Sequence, residues 1–181
     1  MKYNQFGRSM IEMLGVLAII GILTVGGFAL VTKMYNAQAT NTVIDDIGTF
    51  ANKVRVIARD FSVGSEESPN DFNEYINKGR AFPADAEYKS GSKNFLASSD
   101  ILYKFSYNKP SSNDPSLFTM EISQLNLDMC IAVLTMNWGS PSTSGFLKFK
   151  VGPSTYSTQL DLDDATSACK SNDNTIEMSF R

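Results

Sequence analysis

The pattern of hydrophobic and polar positions divides the chain into an apolar first part, an amphipathic second part and a mixed remainder. No residue between Met13 and Thr32 is charged. A helix of about 20 residues, at about 1.5 Å per residue, is about 30 Å long, which is enough to cross the hydrocarbon core of a bilayer. The sequence therefore predicts an apolar helix over this stretch.

Beyond Lys33 the apolar side chains recur at intervals of three and four residues, with no proline before residue 61. They make a single stripe at the helical period, formed by Val43, Ile47, Phe50, Val54, Ile57 and Phe61. The pattern predicts that the helix continues to residue 60 and packs one face against a core.

Residues 61–100 are rich in turn-forming residues, which predicts loops with small helical pieces. One short helix is expected there, capped by Asn70 or Asp71 and ended after Lys78 by Gly79.

Alternating apolar positions return at Ile101–Tyr107 and Leu117–Ile122, which are expected to pair as antiparallel strands. The other predicted elements are a helix over Leu127–Trp138 capped by Asn126, strands over Gly145–Val151, Tyr156–Leu160 and Asn174–Phe180, and a short helix or turn over Asp161–Cys169.

Composition argues against several classes of function. The 181 residues carry a net charge of −3 and no clustered basic tract, so no nucleic-acid partner is expected. The chain lacks histidine, the commonest general base and metal ligand. Asp161, Asp163 and Asp164 could hold a hard cation, but an exposed helix start is the preferred interpretation. The sequence predicts no catalytic residue, metal or cofactor.

One carboxylate, Glu12, stands at the edge of the apolar run, five residues after Gly7. This arrangement resembles the class III signal of type IV prepilins, in which a peptidase cuts after a glycine and the fifth mature residue is a glutamate. The resemblance implies a cut between Gly7 and Arg8, although Arg8 departs from the apolar residue usual at that position. An ordinary membrane anchor is the alternative, and it explains neither Gly7 nor the spacing to Glu12.

The resemblance implies an α+β pilin fold, in which a long N-terminal helical spine packs on an antiparallel β-sheet head. The expected divisions of the chain are a leader over residues 1–7, a spine over 8–60, a variable loop region over 61–100 and a head over 101–181. Within the spine, residues 8–32 are expected to form the transmembrane segment and filament core, and residues 33–60 the amphipathic part.

Two distant cysteines, Cys130 and Cys169, form no CxxC motif. In an exported domain such a pair more often forms a structural disulfide, and two buried free thiols are the alternative. The order of helix, cysteine, strands, cysteine and last strand resembles the C-terminal disulfide region of type IVb pilins. That resemblance implies that the two residues pair.

The resemblance implies a structural subunit of a bacterial type IV pilus and not an enzyme. Expected partners are further copies of the chain, the prepilin peptidase, the inner-membrane assembly machinery and, before assembly, membrane lipid. Lys2 and Arg8 favour a cytoplasmic N-terminus in the inner membrane, followed by an extracellular filament. Alternatives are a minor pilin, a type II secretion pseudopilin or, less favoured, a monomeric membrane-anchored binding domain. Adhesion, motility and DNA uptake stay open as uses of the filament.

The resemblance implies that Glu12 acts in the assembly of subunits into a filament. An N-terminal amine surrounded by apolar helices is costly unless a carboxylate of a neighbouring subunit pairs with it. Arg8 adds a second positive group at the same end. The alternative is that Glu12 only marks the boundary of the membrane.

Overall fold

The computed structural model describes residues 6–64, 72–80, 86–97, 100–112 and 115–181, without the side chains of residues 6–11, 23–30, 32 and 62–64. The chain divides into two compact units, residues 1–38 and residues 39–181. The helices are α1 Phe6–Gly64, α2 Phe72–Lys78, α3 Leu127–Thr135 and α4 Leu162–Ala168. The strands are β1 Glu87–Lys89, β2 Asn94–Leu96, β3 Leu102–Tyr107, β4 Phe118–Leu125, β5 Phe146–Val151, β6 Ser154–Tyr156 and β7 Asn174–Phe180.

The predicted long helix is confirmed as α1, which passes the expected end at residue 60 and finishes at Gly64. The predicted stripe is also confirmed, because its members are buried, with Ile57 partly buried. Phe50 lies at the centre of the stripe, and its ring centroid is 4.8 Å from that of Tyr103 and 5.4 Å from that of Phe105. The amphipathic part of α1 therefore packs on β3.

The seven strands among the described residues form one sheet in the order β1-β2-β3-β4-β7-β5-β6, and all neighbouring strands are antiparallel. The predicted pairing of the strands near residues 101–107 and 117–122 is confirmed as β3 with β4. The last strand, β7, lies between β4 and β5, so Met178 is opposite both Met120 and Phe149. Strand β7 therefore joins the two parts of the sheet.

Strand β5 contains a β-bulge between Phe146 and Lys148. The extra residue shifts the alternation. As a result Phe146, Phe149 and Val151 are all buried, although their spacing does not follow a period of two.

Several elements differ from the sequence prediction. Strands β1 and β2 lie in the region expected to form loops, and they are held together by the rings of Tyr88 and Phe95, whose centroids are 4.9 Å apart. Helix α3 ends at Thr135, before the predicted Trp138, and β6 is Ser154–Tyr156 instead of a strand over 156–160. Because Gly152 has a φ of +55°, the chain turns back directly after β5.

The cap predictions have mixed outcomes. Asn126 caps α3, because its Oδ1 accepts a hydrogen bond of 2.9 Å from the backbone N–H of Met129. Helix α2 ends at Lys78, directly before Gly79, as predicted. The two residues expected to cap α2, Asn70 and Asp71, lie outside the described residues.

Candidate functional site

The first candidate site is the apolar surface of α1 within the unit formed by residues 1–38. Every described side chain from Glu12 to Ile22 is exposed. Seven large aliphatic side chains among them are between 50% and 74% exposed, namely Met13, Leu14, Val16, Leu17, Ile19, Ile20 and Ile22. A contiguous apolar surface of this kind marks a contact with another protein or with a membrane.

The three residues of the predicted processing and assembly site all lie in α1. The side chain of Glu12 is exposed at the edge of the apolar surface. Those of Gly7 and Arg8 lie outside the described side chains, so their roles stay predictions. As placed, the carboxylate of Glu12 is accessible to a cationic group of another chain.

Among the described residues, none of the helices is both long enough and apolar enough to span a membrane. The predicted transmembrane segment over residues 8–32 is therefore not confirmed and stays a prediction.

The second candidate site is the disulfide between Cys130 and Cys169, which confirms the predicted pairing. Cys130 lies fully buried in α3, and Cys169 is the C-cap residue of α4. The bond therefore joins α3 to the segment that leads into β7, and no described cysteine is free.

The buried side chain of Asn174 holds the segment after Cys169 in place by hydrogen bonds. The sequence analysis did not identify this role. The Nδ2 of Asn174 donates hydrogen bonds to the carbonyl oxygens of Leu125, at 3.1 Å, and Lys170, at 2.9 Å. Its Oδ1 accepts a hydrogen bond of 2.6 Å from the N–H of Lys170. The loop after Cys169 is thus held to the end of β4 by one buried amide.

The acidic residues near residue 161 cap and begin helix α4, as the preferred interpretation of the sequence expects. Asp161 is the N-cap, and its Oδ1 accepts a hydrogen bond of 2.9 Å from the N–H of Asp164. The described residues contain no group of three or more acidic, cysteine or histidine side chains that could hold a metal ion. A groove of about 540 Å³ runs beside α4, and Asp164 and Lys170 both line it.

Arg55 connects α1 to the end of the sheet. Its Nε donates a hydrogen bond of 2.8 Å to the carbonyl oxygen of Arg181, and its Nη2 donates to the carbonyl oxygen of Ser144. Burial, and secondly the charge of Arg59, lower the pKa of Arg55 below its ordinary value. A Cβ at Gly145 would come within 2.8 Å of the Arg181 carbonyl oxygen, so glycine is required there. No local sequence pattern indicates these contacts, because Arg55 is far along the chain from both of the residues whose carbonyl oxygens it reaches.

No protein family model matches the chain. No curated protein sequence matches it either. Among solved structures, the crystal structure of a type IVb pilin from Salmonella typhi is similar, with a TM-score of 0.55. The two sequences are 12% identical over a match that covers 74% of this chain and 97% of that pilin. At this level of identity the match shows a shared fold.

By its own architecture the chain is an α+β protein, in which a helix of 59 residues is followed by a head with one antiparallel sheet. Its fold is similar to that of a type IVb pilin. The predicted fold class, with its C-terminal disulfide region, is confirmed.

Proposed function

We propose that the chain is a structural subunit of a type IV pilus, and that it polymerises through the apolar surface of α1. The observation that carries the proposal is the run of exposed aliphatic side chains from Met13 to Ile22 in a chain with a pilin fold. This surface needs a partner, and further copies of the same helix supply one of matching chemistry.

The energy available from this surface is large enough to hold subunits together in a filament that is surrounded by water. Fully burying one aliphatic side chain stabilises an association by about 1.5–3 kcal/mol. Seven such side chains in Met13–Ile22 are at least half exposed. Helices that pack side by side bury them, and this burial contributes a large favourable free energy. Before assembly, membrane lipid covers the same surface equally well.

Apolar contacts alone do not fix how far one helix slides along another, and in the proposal Glu12 supplies this register. After a cut behind Gly7, the new amine of one subunit and Arg8 beside it lie among apolar side chains of other subunits. A buried charge without a partner costs several kcal/mol, so subunits assemble where Glu12 of a neighbour lies opposite that amine. The attraction is strong because the surroundings exclude water.

The proposal includes the route of the chain through the cell. The prepilin peptidase removes residues 1–7 and methylates the new amine, and the assembly machinery of the inner membrane extracts the subunit into an extracellular filament. The head then acts as the surface of a fibre and not as an enzyme.

A minor pilin or a type II secretion pseudopilin shares the N-terminal signal, and the disulfide between Cys130 and Cys169 favours the pilus subunit over the pseudopilin.

The test compares Glu12→Ala with Asp45→Ala, a matched loss of an exposed carboxylate on the same helix. Filaments are sheared from cells that carry each variant as the sole subunit, and sheared and cell-bound fractions are measured by immunoblot. We expect Glu12→Ala to be processed but to leave little sheared filament, Glu12→Asp to retain part of the yield, and Asp45→Ala to resemble the parent chain. A normal filament yield from Glu12→Ala contradicts the proposed register.

A further inference from the structure

The two cysteines of the disulfide lie in different surroundings. Cys130 is 0% exposed, and its neighbours on α3, Met129 and Val133, are buried as well. Cys169 is partly exposed, and the four residues that follow it, residues 170–173, are all exposed. A thiol in solution therefore has access to the disulfide from the side of Cys169, whereas Cys130 lies in the core.

This asymmetry determines which bond forms when the disulfide of the folded head exchanges with an external thiol. Disulfides exchange by attack of a thiolate on one of the two sulfur atoms. When the thiolate attacks Sγ of Cys169, its lone pair forms the new bond and the bond to Cys130 breaks. The electron pair of the broken bond stays on Sγ of Cys130, which takes a proton from water. The products are a mixed disulfide at Cys169 and a buried thiol at Cys130.

Asn174 holds the attacked segment in place when this bond is broken. Its amide is hydrogen-bonded to the carbonyl oxygen of Leu125 and to both backbone groups of Lys170, and none of these bonds involves a sulfur atom. Because Lys170 directly follows Cys169, the mixed disulfide stays close to the thiol of Cys130. Holding two reacting groups together greatly raises their effective concentration.

We propose that Cys169 is the site at which the folded head exchanges with low-molecular-weight thiols, and that Cys130 is the resolving cysteine. The ionised thiol of Cys130 attacks Sγ of Cys169, re-forms the original disulfide and releases the external thiol. The mixed disulfide is therefore short-lived, and the head keeps its disulfide where thiols are present. This property belongs to the head and does not depend on polymerisation.

The first test locates the mixed disulfide in the full chain, held in detergent micelles. The folded parent chain is treated with excess glutathione, the exchange is stopped with acid, and peptic peptides are analysed by mass spectrometry. We expect glutathione on the peptide that contains Cys169 and a free thiol at Cys130. In denaturant both sulfur atoms are accessible, so both cysteines should carry glutathione in comparable amounts.

The second test measures the role of Asn174. Asn174→Ala should raise the steady-state amount of glutathione on Cys169 by about tenfold, because the hydrogen bonds that keep this segment beside Cys130 are lost. The matched control is Asn73→Ala, because Asn73 is also 4% exposed and its amide bonds to both backbone groups of Phe105 in β3. This control should leave the amount of adduct near that of the parent chain.

Variants with a single cysteine give a readout that does not depend on trapping the adduct. They are compared only if they keep the near-ultraviolet circular dichroism of the parent chain. In Cys130→Ala the thiol of Cys169 should react readily with an aromatic disulfide reagent. In Cys169→Ala the thiol of Cys130 should react about 100-fold more slowly than in denaturant, because it becomes accessible only when the head opens.

Four outcomes would each overturn the assignment. They are glutathione mainly on Cys130 of the folded parent chain, no adduct on either cysteine, equal amounts of adduct in Asn174→Ala and Asn73→Ala, and equal reactivity of the two single thiols in folded variants. The proposed function is unaffected by any of these results, because it is tested by filament yield.

Discussion

The ring of Tyr103 lies 4.8 Å from that of Phe50, measured between centroids, and its hydroxyl is buried with no hydrogen-bond partner among the described residues. Burial, and secondly the carboxylate of Asp46, raise the pKa of Tyr103 above its ordinary value. The packing of α1 on β3 therefore keeps this hydroxyl protonated. The same packing buries the polar hydroxyl oxygen of Tyr103 at a position that an apolar group would fill equally well.

This arrangement predicts a pH dependence of stability. An unfolded tyrosine ionises near pH 10, and the folded chain holds the proton to higher pH, so the contribution to stability is complete below about pH 10 and is lost as the pH rises above it. One unit above pH 10 the loss from this group is about 1.4 kcal/mol. Chemical unfolding of the parent chain and of Tyr103→Phe at pH 7 and pH 11 measures it.

The variant should unfold with a free energy at pH 7 that equals or exceeds that of the parent chain, because no hydrogen bond is lost. Between pH 7 and pH 11 it should lose less stability than the parent. Equal losses in both proteins would contradict the assignment of this pH dependence to Tyr103.

The disulfide is expected to be a large contributor to the stability of the head. Its two cysteines are separated by 39 residues, and closing a loop of that length removes unfolded-state entropy worth about 4 kcal/mol. The Cys130→Ala, Cys169→Ala double variant should therefore unfold at lower denaturant concentration, and reductant should shift the parent chain in the same direction. Reductant should leave the double variant unchanged, and a comparable shift in both proteins would refute this role of the bond.

The success and failure of the sequence analysis follow from how far apart the interacting residues are. The stripe from Val43 to Phe61 is periodic within one helix, so its buried face was readable from the residues. The cap Asn126 acts three residues away and was also found. The pairing of Cys130 with Cys169 came from a resemblance of order along the chain.

The missed features all depend on contacts that no local pattern encodes. Strands β1 and β2 have three residues each, which is too few to show an alternation. Asn174 reaches back 49 positions to the carbonyl oxygen of Leu125. Arg55 lies off the apolar stripe of α1, yet its head group reaches the carbonyl oxygen of Arg181 directly after β7. In each case the tertiary fold brings together residues that are distant along the chain.

Arg55 should therefore matter more for stability than its position on a polar helix face indicates. Arg55→Met keeps the aliphatic stem but leaves the carbonyl oxygens of Ser144 and Arg181 without this donor, which should cost about 1–2 kcal/mol. Lys53→Met, on the same helix, removes an exposed charge and should change stability by less than about 0.5 kcal/mol. Equilibrium unfolding of both variants checks this, and equal costs would show that the two hydrogen bonds of Arg55 add nothing.

The proposed processing site makes a prediction about covalent structure. If the peptidase cuts between Gly7 and Arg8, the filament subunit begins at Arg8 with a methylated amine, and its intact mass lacks residues 1–7. Gly7→Leu should block the cut and leave the precursor in the membrane, because the peptidase depends on the glycine.

The control is Gly15→Ala, where an added Cβ meets nothing within 4 Å and the cut should proceed normally. Mass spectrometry of sheared and membrane fractions distinguishes the outcomes. A surface form that begins at Met1, or that is cut beyond Val25, would contradict the assignment of residues 1–7 as a leader. It would also remove the new amine that Glu12 is proposed to pair with, because that amine exists only after a cut behind Gly7.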